Sequence, residues 1–407
     1  DYHTALHNLL FTLNYHPDKR AQEIYEAYEE YERRFGEPHR AEWRVHKNAP
    51  ASGRKLKVGY VSPDFRQHST RYFLEPLLAH HDGAALEVYA YADLSKEDGQ
   101  TARYKSYVDH WVATKGLSDS ALAERIRADG IDILVDLAGH TAGNRLGVFA
   151  RKPAPVSVSW MGYGYTTGLK AIDYYLTDEE SAPVGSEHLF SEKPWRLPCT
   201  FTAYMPPEEQ MGEVNELPAL ERGYITFGTL TRAVRINQHT IDAWSEILRR
   251  VPEARLVIDS SSYKDELTQE GLLKRFEEKG VDRSRLQVGY HSPPWDVLRG
   301  LDISLDCFPH NSGTTLFESL YMGVPYITLS GRPSVGRLGH PEWIAHTQQE
   351  YVEKAVELAG DVQRLAKTRR ELRGQMRASE LLDGQGFARK VEQAYAMMFD
   401  AWEKEHT

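Results

Sequence analysis

Short apolar runs alternate with helical patterns in two stretches of the chain, and this alternation constrains the fold more than any other feature. The first stretch contains strand-like runs at 57–62, 86–91 and 131–137, with a helical pattern at 118–129. The second contains strand-like runs at 224–229, 255–259, 301–306 and 326–329, with a helical pattern at 240–251. Such alternation predicts an α/β fold on parallel sheets, with ligands bound at the carboxyl ends of the strands.

The length of the chain, 407 residues, exceeds that of one ordinary domain. We expect two Rossmann-like domains, at 51–200 and 201–380, with a cleft between them. The intervening region 194–223 is rich in Pro and Glu and lacks periodicity, which is typical of an interdomain connection. Residues 1–50 have leucines and tyrosines at helical spacing, and we interpret them as a helical segment. A C-terminal helix is expected at 381–407.

The composition argues against several classes of function. Hydrophobic residues make up 41% of the chain and charged residues 27%, which is typical of a folded, soluble enzyme. The formal net charge of -10 disfavours nucleic acid as a partner, because that binding usually needs a basic face. No apolar run approaches the roughly 18 residues that span a membrane, and no signal peptide opens the chain. Cys199 and Cys307 form no metal-ligand spacing, so we expect a reducing cytoplasm.

The region after the predicted strand at 301–306 has the composition of an anion site. A small-residue turn precedes a helix that begins near Thr314, and Gly313 leaves room for a phosphate beside the helix start. Free backbone N–H groups and the helix dipole favour negative charge there. Glu318, one turn further, is able to accept hydrogen bonds from ribose hydroxyls. An ordinary capped helix has the same pattern, so this region alone leaves both interpretations open.

Two arginines, Arg232 and Arg235, lie three residues apart in the loop after the predicted strand at 224–229. Arginine forks match phosphate oxygens and stay charged at any working pH. Surface arginines are often merely solvated, but an acidic chain that binds a phosphate has to gather cations locally. The position after a strand favours phosphate binding.

Two histidines follow predicted strands and are candidates for acid–base chemistry. His68 lies in the loop after 57–62, and His140 follows 131–137. Histidine titrates near neutral pH, which suits a catalytic base, although a loop histidine is more often structural or solvated. The segment 160–168 combines glycines, hydroxyls and aromatic rings, and it either contacts a sugar or forms a packed turn.

Several familiar catalytic patterns do not occur in the sequence. It has no P-loop, no GxGxxG fingerprint, no GxSxG elbow and no HExxH zinc site. It also has no Asp-x-Asp pair of the kind that holds a divalent ion on a diphosphate. We therefore predict no metal site and expect cations and backbone amides to stabilise the charge of a leaving group.

Taken together, these motifs resemble those of the O-linked N-acetylglucosamine transferase and SPINDLY family. The matching segments are 55–68, 139–141, 151–155, 160–168 and 306–325, in the family's order and spacing. The resemblance implies a two-domain glycosyltransferase B fold preceded by tetratricopeptide repeats, of which the opening helices look like the last remnant. The chain begins without Met, so we expect it to be a piece of a longer protein.

The resemblance also implies the chemistry. Family members are inverting transferases that need no metal and modify Ser or Thr of intracellular proteins. His68 matches the active-site histidine, and Asp129 falls where a second catalytic carboxylate is expected, although Asp129 also suits the last turn of a helix before Gly130. The family usually has lysine where this chain has Arg235. Because arginine does not donate a proton, we assign Arg235 only the stabilisation of the departing diphosphate.

The same resemblance implies two sets of contact residues. Those expected to bind the donor are Arg232, Arg235, Trp295, His310, Asn311, Gly313, Thr314, Thr315 and Glu318. Those expected to contact the sugar or the acceptor are Gly139, His140, Thr141, Gly164, Tyr165 and Thr166. Trp295 either stacks on the nucleotide base or belongs to the core.

The donor stays open between UDP-N-acetylglucosamine and GDP-fucose, and no other cofactor is expected. The run 312–315 is closer to the SPINDLY branch, whereas 293–295 matches neither branch. Relatives also have several additional residues between Gly339 and His340. The acceptor proteins are not specified, and homo-oligomers would form through the missing repeats. Two alternatives to a transferase are a sugar-nucleotide epimerase of the same fold, which needs no acceptor, and a scaffold whose transferase half has decayed.

Overall fold

The computed structural model describes residues 2–162, 165–329 and 338–406, and these divide into two units. The first unit contains the chain up to Asn14, Lys19–Met205 and the chain from Asp383 onward. The second unit contains Tyr15–Asp18 and Pro206–Leu382. Four residues near the N-terminus therefore belong to the second unit, while their neighbours in sequence belong to the first.

A parallel sheet forms the centre of the first unit. Its strands are β1 (Leu56–Ser62), β2 (Leu86–Ala92), β3 (His110–Ala113), β4 (Ile133–Asp136), β5 (Val156–Ser159), β6 (Tyr174–Asp178) and β7 (Lys193–Leu197). Among the described residues their order is β3-β2-β1-β4-β5-β6-β7, and every pairing is parallel. The loops after β1 and β4 therefore emerge side by side at the carboxyl edge of the sheet.

Helices of the first unit cover this sheet. They include α1 (Tyr2–Leu13), α2 (Ala21–Tyr31), α3 (Arg71–Leu78), α4 (Gly99–Lys105), α5 (Asp119–Asp129) and α6 (Leu146–Phe149). Leu10 of α1 and Tyr28 of α2 share one buried cluster with Ile126 of α5 and Leu134 of β4. The opening helices are thus part of the core of the first unit.

The second unit is built on another parallel sheet. Its strands are β8 (Thr226–Thr229), β9 (Arg255–Asp259), β10 (Leu286–Gly289), β11 (Ile303–Leu305), β12 (Tyr326–Leu329) and β13 (Ile344–Ala345). Within the described residues the order is β10-β9-β8-β11-β12-β13. Because β8 and β11 are parallel neighbours, the loops that follow them meet at one edge of the sheet.

The remaining helices follow in chain order. Those of the second unit include α7 (Glu208–Met211), α8 (Ala219–Arg222), α9 (Gln238–Arg250), α10 (Glu266–Glu277), α11 (Trp295–Arg299), α12 (Thr314–Tyr321), α13 (Gln348–Ala359) and α14 (Val362–Ala378). The chain then returns to the first unit as α15 (Gly384–His406). Phe387 and Tyr395 of this helix share a buried cluster with Val58 of β1.

The predicted α/β fold with two parallel sheets is confirmed. The prediction of an irregular connection at 194–223 is wrong at its start, because β7 occupies Lys193–Leu197. Pro194 hides this strand from a sequence pattern, and its missing N–H is tolerated because β7 lies at the edge of the sheet. The helices expected at 1–50 pack inside the first unit, as does the C-terminal helix, which begins at Gly384.

Across the described ranges, none of the helices combines the length and the apolar character that a membrane crossing requires.

Candidate functional site

Asn237 ties together the two loops of the second unit that carry most of the predicted donor residues. Its Oδ1 caps α9 by accepting from the backbone N–H of Thr240 at 3.1 Å. Its Nδ2 donates to the carbonyl of Phe308, 2.5 Å away in the loop after β11. The loop after β8, which contains Arg232 and Arg235, is therefore held against the loop that leads into α12.

Arg235 is partly buried beside the loop after β11. Its Nη1 donates to the carbonyl of Asn311 at 3.3 Å. Burial works against the charged form, but Cys307, Tyr15 and Asp306 outweigh it, so the pKa of Arg235 is raised above its usual value. Its Nε is buried and has no hydrogen-bond partner among the described residues. The guanidinium is therefore fully charged and retains an unused donor.

Arg232 lies nearby with its side chain exposed. Its Nη2 donates to the hydroxyl oxygen of Tyr15 at 2.8 Å. The Tyr15 ring also meets the ring of His310, with centroids 5.2 Å apart in an edge-to-face arrangement. The structure thus brings Arg232, Arg235 and His310 together around one tyrosine, which sequence reasoning did not identify.

Asp306 fixes the turn that leads from β11 to α12. Its buried carboxylate accepts from the backbone N–H of Cys307 at 3.0 Å and of Ser312 at 2.8 Å, and from the hydroxyl of Thr328 at 2.7 Å. The side-chain amide of Asn311 donates to the carbonyl of Cys307 at 3.2 Å. Asn311 therefore uses its side chain to build the turn and offers its carbonyl to Arg235.

The start of α12 is open on the side where an anion is expected. A Cβ added at Gly313 would meet no atom within 4 Å among the described residues. Thr314 and Thr315 are half-buried, and the first amides of an α-helix have no acceptor within the helix. The open space at Gly313 is compatible with phosphate binding at these amides, which stays a prediction.

Glu318 lies one turn after Thr314 and is buried, with 8% of its surface exposed. Burial raises the pKa of its carboxyl group to about 7. No other group contributes to this shift, and the described residues supply no hydrogen-bond or ion-pair partner for the carboxylate. A buried carboxylate without a partner is costly, and a ligand hydroxyl would satisfy it.

Trp295 begins α11 and is buried, with 5% of its surface exposed. Its indole N–H has no partner among the described residues. The ring therefore lies in the core of the second unit, which favours the structural interpretation over stacking on a base.

In the first unit, His68 lies in the loop after β1, as predicted. Its Nδ1 is 3.0 Å from the hydroxyl oxygen of Thr70 and 3.7 Å from a carboxylate oxygen of Asp64. Burial lowers the pKa of His68, Asp64 partly offsets this, and Arg66 lowers it further. The imidazole is therefore mostly neutral at neutral pH and is able to accept a proton.

The structure does not bring Asp129 to His68. Asp129 is the last residue of α5, and its carbonyl accepts from Nζ of Lys57 at the start of β1. His68 instead follows the carboxyl end of that strand. The carboxylate beside His68 is Asp64, four residues earlier, and the i,i+4 spacing of the two residues in one loop was the available signal.

His140, which the sequence predicts to contact the sugar or the acceptor, is buried. Its Nε2 is 2.7 Å from the carbonyl oxygen of Thr167, and its Nδ1 is 2.7 Å from Nδ1 of His7 in α1. His7 Nε2 is in turn 3.0 Å from Nε2 of His3. His140 thus ends a chain of three histidines that holds α1 in the first unit.

The other residues predicted to contact the sugar also build turns. The backbone N–H of Gly139 donates to Asp136 at 2.9 Å, and the hydroxyl of Thr141 donates to the carbonyl of Ala138 at 2.7 Å. The hydroxyl of Thr166 donates to the buried carboxylate of Glu192 at 2.5 Å.

Tyr165 and Gly164 complete this set. The Tyr165 hydroxyl is buried, with no partner among the described residues, and its ring packs on Tyr28. Gly164 lies outside the described residues. In the ranges that are described, no group of three or more His, Cys, Asp or Glu side chains is arranged to hold a metal ion.

Comparison with known proteins yields one family. The model of glycosyl transferase family 41 matches residues 7–211 and 214–391. The SPINDLY protein of Hordeum vulgare, named a probable UDP-N-acetylglucosamine–peptide N-acetylglucosaminyltransferase, is 36% identical over 415 residues, which cover 98% of this chain and 44% of that protein. The chain therefore spans less than half the length of this curated relative.

Solved structures agree with the family match. A lysine-to-methionine mutant of the Thermobaculum terrenum O-GlcNAc transferase is 33% identical, with a TM-score of 0.93 over 100% of this chain and 79% of that chain. Anabaena Alr3699/HepE in complex with UDP is 9% identical, with a TM-score of 0.56 over 84% of this chain and 100% of that chain, and shows the fold alone. The family model and the relatives confirm the resemblance seen in the motifs, and the chain belongs to glycosyl transferase family 41.

Proposed function

We propose that this protein is an inverting glycosyltransferase that moves a sugar from a nucleoside-diphosphate donor to Ser or Thr hydroxyls of proteins. Family membership supports transfer of a glycosyl group. The printed names of the relatives, a peptide N-acetylglucosaminyltransferase and an O-GlcNAc transferase, support protein as the acceptor.

One observation of the second unit carries the proposal. Arg235 offers a charged, partly buried guanidinium whose Nε has no partner among the described residues, beside an α12 start that is open at Gly313. Glu318, one turn into the same helix, is buried without a partner. The cation and the helix start suit the diphosphate of a nucleotide, and the carboxylate suits the hydroxyls of its ribose.

The proposed reaction is a single displacement. The acceptor oxygen forms a bond to the anomeric carbon while the bond from that carbon to the diphosphate oxygen breaks, which inverts the configuration. The proton of the acceptor hydroxyl passes to the neutral imidazole of His68. Arg235, Arg232 and the α12 amides stabilise the charge that develops on the departing diphosphate.

The donor is proposed as a class, because UDP and GDP share the diphosphate and ribose that this site recognises. The name of the barley relative favours UDP-N-acetylglucosamine, and the motif at 312–315 favours GDP-fucose. No metal is needed in this proposal, since cationic side chains and amides take its place.

A thermal-shift screen with UDP, GDP and their sugars tests the donor class, because selective stabilisation identifies the bound nucleotide. Transfer of labelled sugar to Ser- and Thr-containing peptides then tests the activity. Arg235→Ala should abolish both the shift and the transfer. If the protein binds nucleotide but transfers no sugar, a decayed scaffold is favoured. If it converts the donor sugar into an isomer when no acceptor is present, an epimerase is favoured.

We also propose a cytoplasmic location, where both cysteines would stay reduced. Cys199 and Cys307 are buried and are not joined in a disulfide, and burial raises the pKa of Cys307 to about 11. Protein acceptors and further copies of the chain are the proposed partners.

A further inference from the structure

Tyr15 is a buried residue that contacts three of the residues predicted to bind the donor. Its hydroxyl oxygen accepts from Nη2 of Arg232 at 2.8 Å. The Arg235 guanidinium lies 5.9 Å from the centre of the Tyr15 ring. The Tyr15 ring also packs edge-to-face against the ring of His310. One side chain therefore links the loop after β8 to the loop after β11.

The segment Tyr15–Asp18 is fixed at a second point in the second unit. Oδ1 of Asp18 lies 2.8 Å from Nε2 of His239, in the first turn of α9. Pro17, between the two contacts, restricts the backbone of the segment. Tyr15 is thus presented by a short, constrained piece of chain.

Two neighbouring arginines need such support. Each guanidinium stands on a long, flexible stem, and two like charges without an anion repel each other. The Tyr15 oxygen accepts from one guanidinium, and its ring face attracts the other by a cation–π contact. Both interactions are available before any ligand binds, so they reduce the ordering that the ligand would otherwise have to impose.

We propose that Tyr15 is a positioning residue that holds Arg232 and Arg235 ready for the diphosphate of the donor. This inference rests on the proposed function, since it assigns the diphosphate of a nucleotide to the arginine pair. Tyr15 acts through the arginines and does not touch the reacting atoms. It extends the donor site to a residue from the helical N-terminal part of the sequence.

Tyr15→Phe and Tyr15→Ala test the role of Tyr15. Affinities for UDP and GDP are measured by calorimetry, and the Michaelis constants for donor and acceptor are measured separately. Loss of the hydroxyl in Tyr15→Phe should weaken nucleotide binding by roughly three- to tenfold. Tyr15→Ala, which also removes the ring, should weaken it further. The donor KM should rise while the acceptor KM stays unchanged, a selectivity that a general loss of stability does not produce.

Two control variants keep the outcomes distinct. Tyr25→Phe removes a tyrosine hydroxyl of α2 that contacts Ser191 in the first unit, and it should leave nucleotide affinity unchanged. Arg235→Ala reports on the proposed function itself. If Arg235→Ala binds UDP and GDP as tightly as the unaltered protein, the proposed function fails whatever Tyr15 does.

If Arg235→Ala loses binding while both Tyr15 variants keep the original affinity and donor KM, the role of Tyr15 is refuted and the proposed function stands. If Tyr15→Ala does not fold, the smaller Tyr15→Phe change decides, because it keeps the ring and removes only the acceptor of Arg232.

Discussion

At the scale of single residues, Arg235 combines a permanent charge with a hydrogen-bond donor that the protein does not use. A lysine at this place would carry one mobile ammonium group that is able to lose a proton, whereas the guanidinium is planar and stays charged. A departing diphosphate needs charge stabilisation more than a proton. The guanidinium of Arg235 is therefore sufficient for the proposed role.

Glu318 should make nucleotide affinity depend on pH. Its pKa of about 7 means that the carboxyl group is partly protonated at neutral pH. In the proposed site the deprotonated form would accept hydrogen bonds from ribose hydroxyls, so affinity for UDP or GDP should rise between about pH 6 and about pH 8. Glu318→Gln should abolish this dependence and weaken binding by roughly tenfold at the higher pH. Calorimetric titration across this range measures both effects, and an unaltered pH dependence in the variant would contradict the assignment.

Glu318 also affects stability without ligand. Its pKa is raised from 4.5 in the unfolded chain to about 7, so the folded state binds the proton more tightly. The free energy of unfolding should therefore fall as pH rises through this window and level off above it. Glu318→Gln should remove that fall, and the two proteins should differ most above about pH 7.

His68 and Asp64 lead to a prediction for the rate profile. Burial lowers the pKa of His68, while Asp64 raises it. The acid limb of kcat/KM should therefore lie below the usual histidine value of about 6.5. Asp64→Asn should move this limb to still lower pH, because the charge that favours the imidazolium is lost. His68→Asn should reduce transfer by roughly 100-fold or more, and normal transfer by that variant would exclude His68 as the base.

At the scale of elements, a substitution at the start of α12 should affect nucleotide binding more than it affects folding. Gly313 has an ordinary negative φ, and a Cβ there meets no protein atom. Because Gly313 is the N-cap of α12, where glycine is preferred to alanine, Gly313→Ala should lower the free energy of unfolding by only about 1 kcal/mol. It should nonetheless weaken nucleotide binding by roughly tenfold, because the methyl group occupies the space beside the helix amides. Urea unfolding and calorimetry of the same sample compare the two, and unchanged affinity would place the diphosphate elsewhere.

The three histidines that hold α1 have a single arrangement of protons when neutral. The carbonyl of Thr167 only accepts, so His140 must donate from Nε2 and accept at Nδ1. His7 then donates from Nδ1 and accepts at Nε2 from His3. The rings of Tyr28 and Tyr31 enclose His140. A further proton on His7 or His140 would place two donors face to face.

The three hydrogen-bonded histidines lead us to expect that acid weakens the packing of α1. Burial lowers the pKa of His7 to about 4 and of His140 to about 3, from 6.5 in the unfolded chain. Their contribution to stability should be complete above about pH 6.5 and lost as pH falls, at about 1.4 kcal/mol per pH unit for each group. His7→Leu should flatten this slope in urea unfolding followed by circular dichroism. Replacement of the exposed His188 by Gln should not, and equal slopes in all three proteins would contradict the prediction.

The sequence predicts long amphipathic and continuous apolar elements better than short ones. The helix expected at 240–251 is α9 (Gln238–Arg250), because Ile241, Trp244 and Ile247 form one buried face. β7 escapes prediction because Pro194 and charged neighbours break its pattern. β13, with two residues, is too short to have a pattern at all.

The residues of the candidate site also differ in how far the sequence predicts them. Arg235, Gly313 and Glu318 are recognisable because a strand, a loop and a helix follow one another in sequence. Tyr15 is not, since its contact with Arg232 joins residues that are far apart in the chain. The burial of His140 is not predictable from the sequence either, because it depends on α1 and α2, whose packing no local pattern reveals.

At the scale of the whole molecule, the net charge of -10 makes local cations decisive for an anionic substrate. If Arg232, Arg235 and the α12 amides supply all the charge stabilisation, transfer should not depend on a divalent ion. Activity in excess EDTA should stay within about twofold of the untreated protein. A loss that magnesium restores would show that a metal carries part of this charge.

The path of the chain through the two units limits how the protein can be shortened. A version trimmed to begin at the strand β1 would keep both sheets, yet it would lack Tyr15 and the core residues of α1 and α2. A shortened version should therefore retain α1 and α2 together with the segment between them.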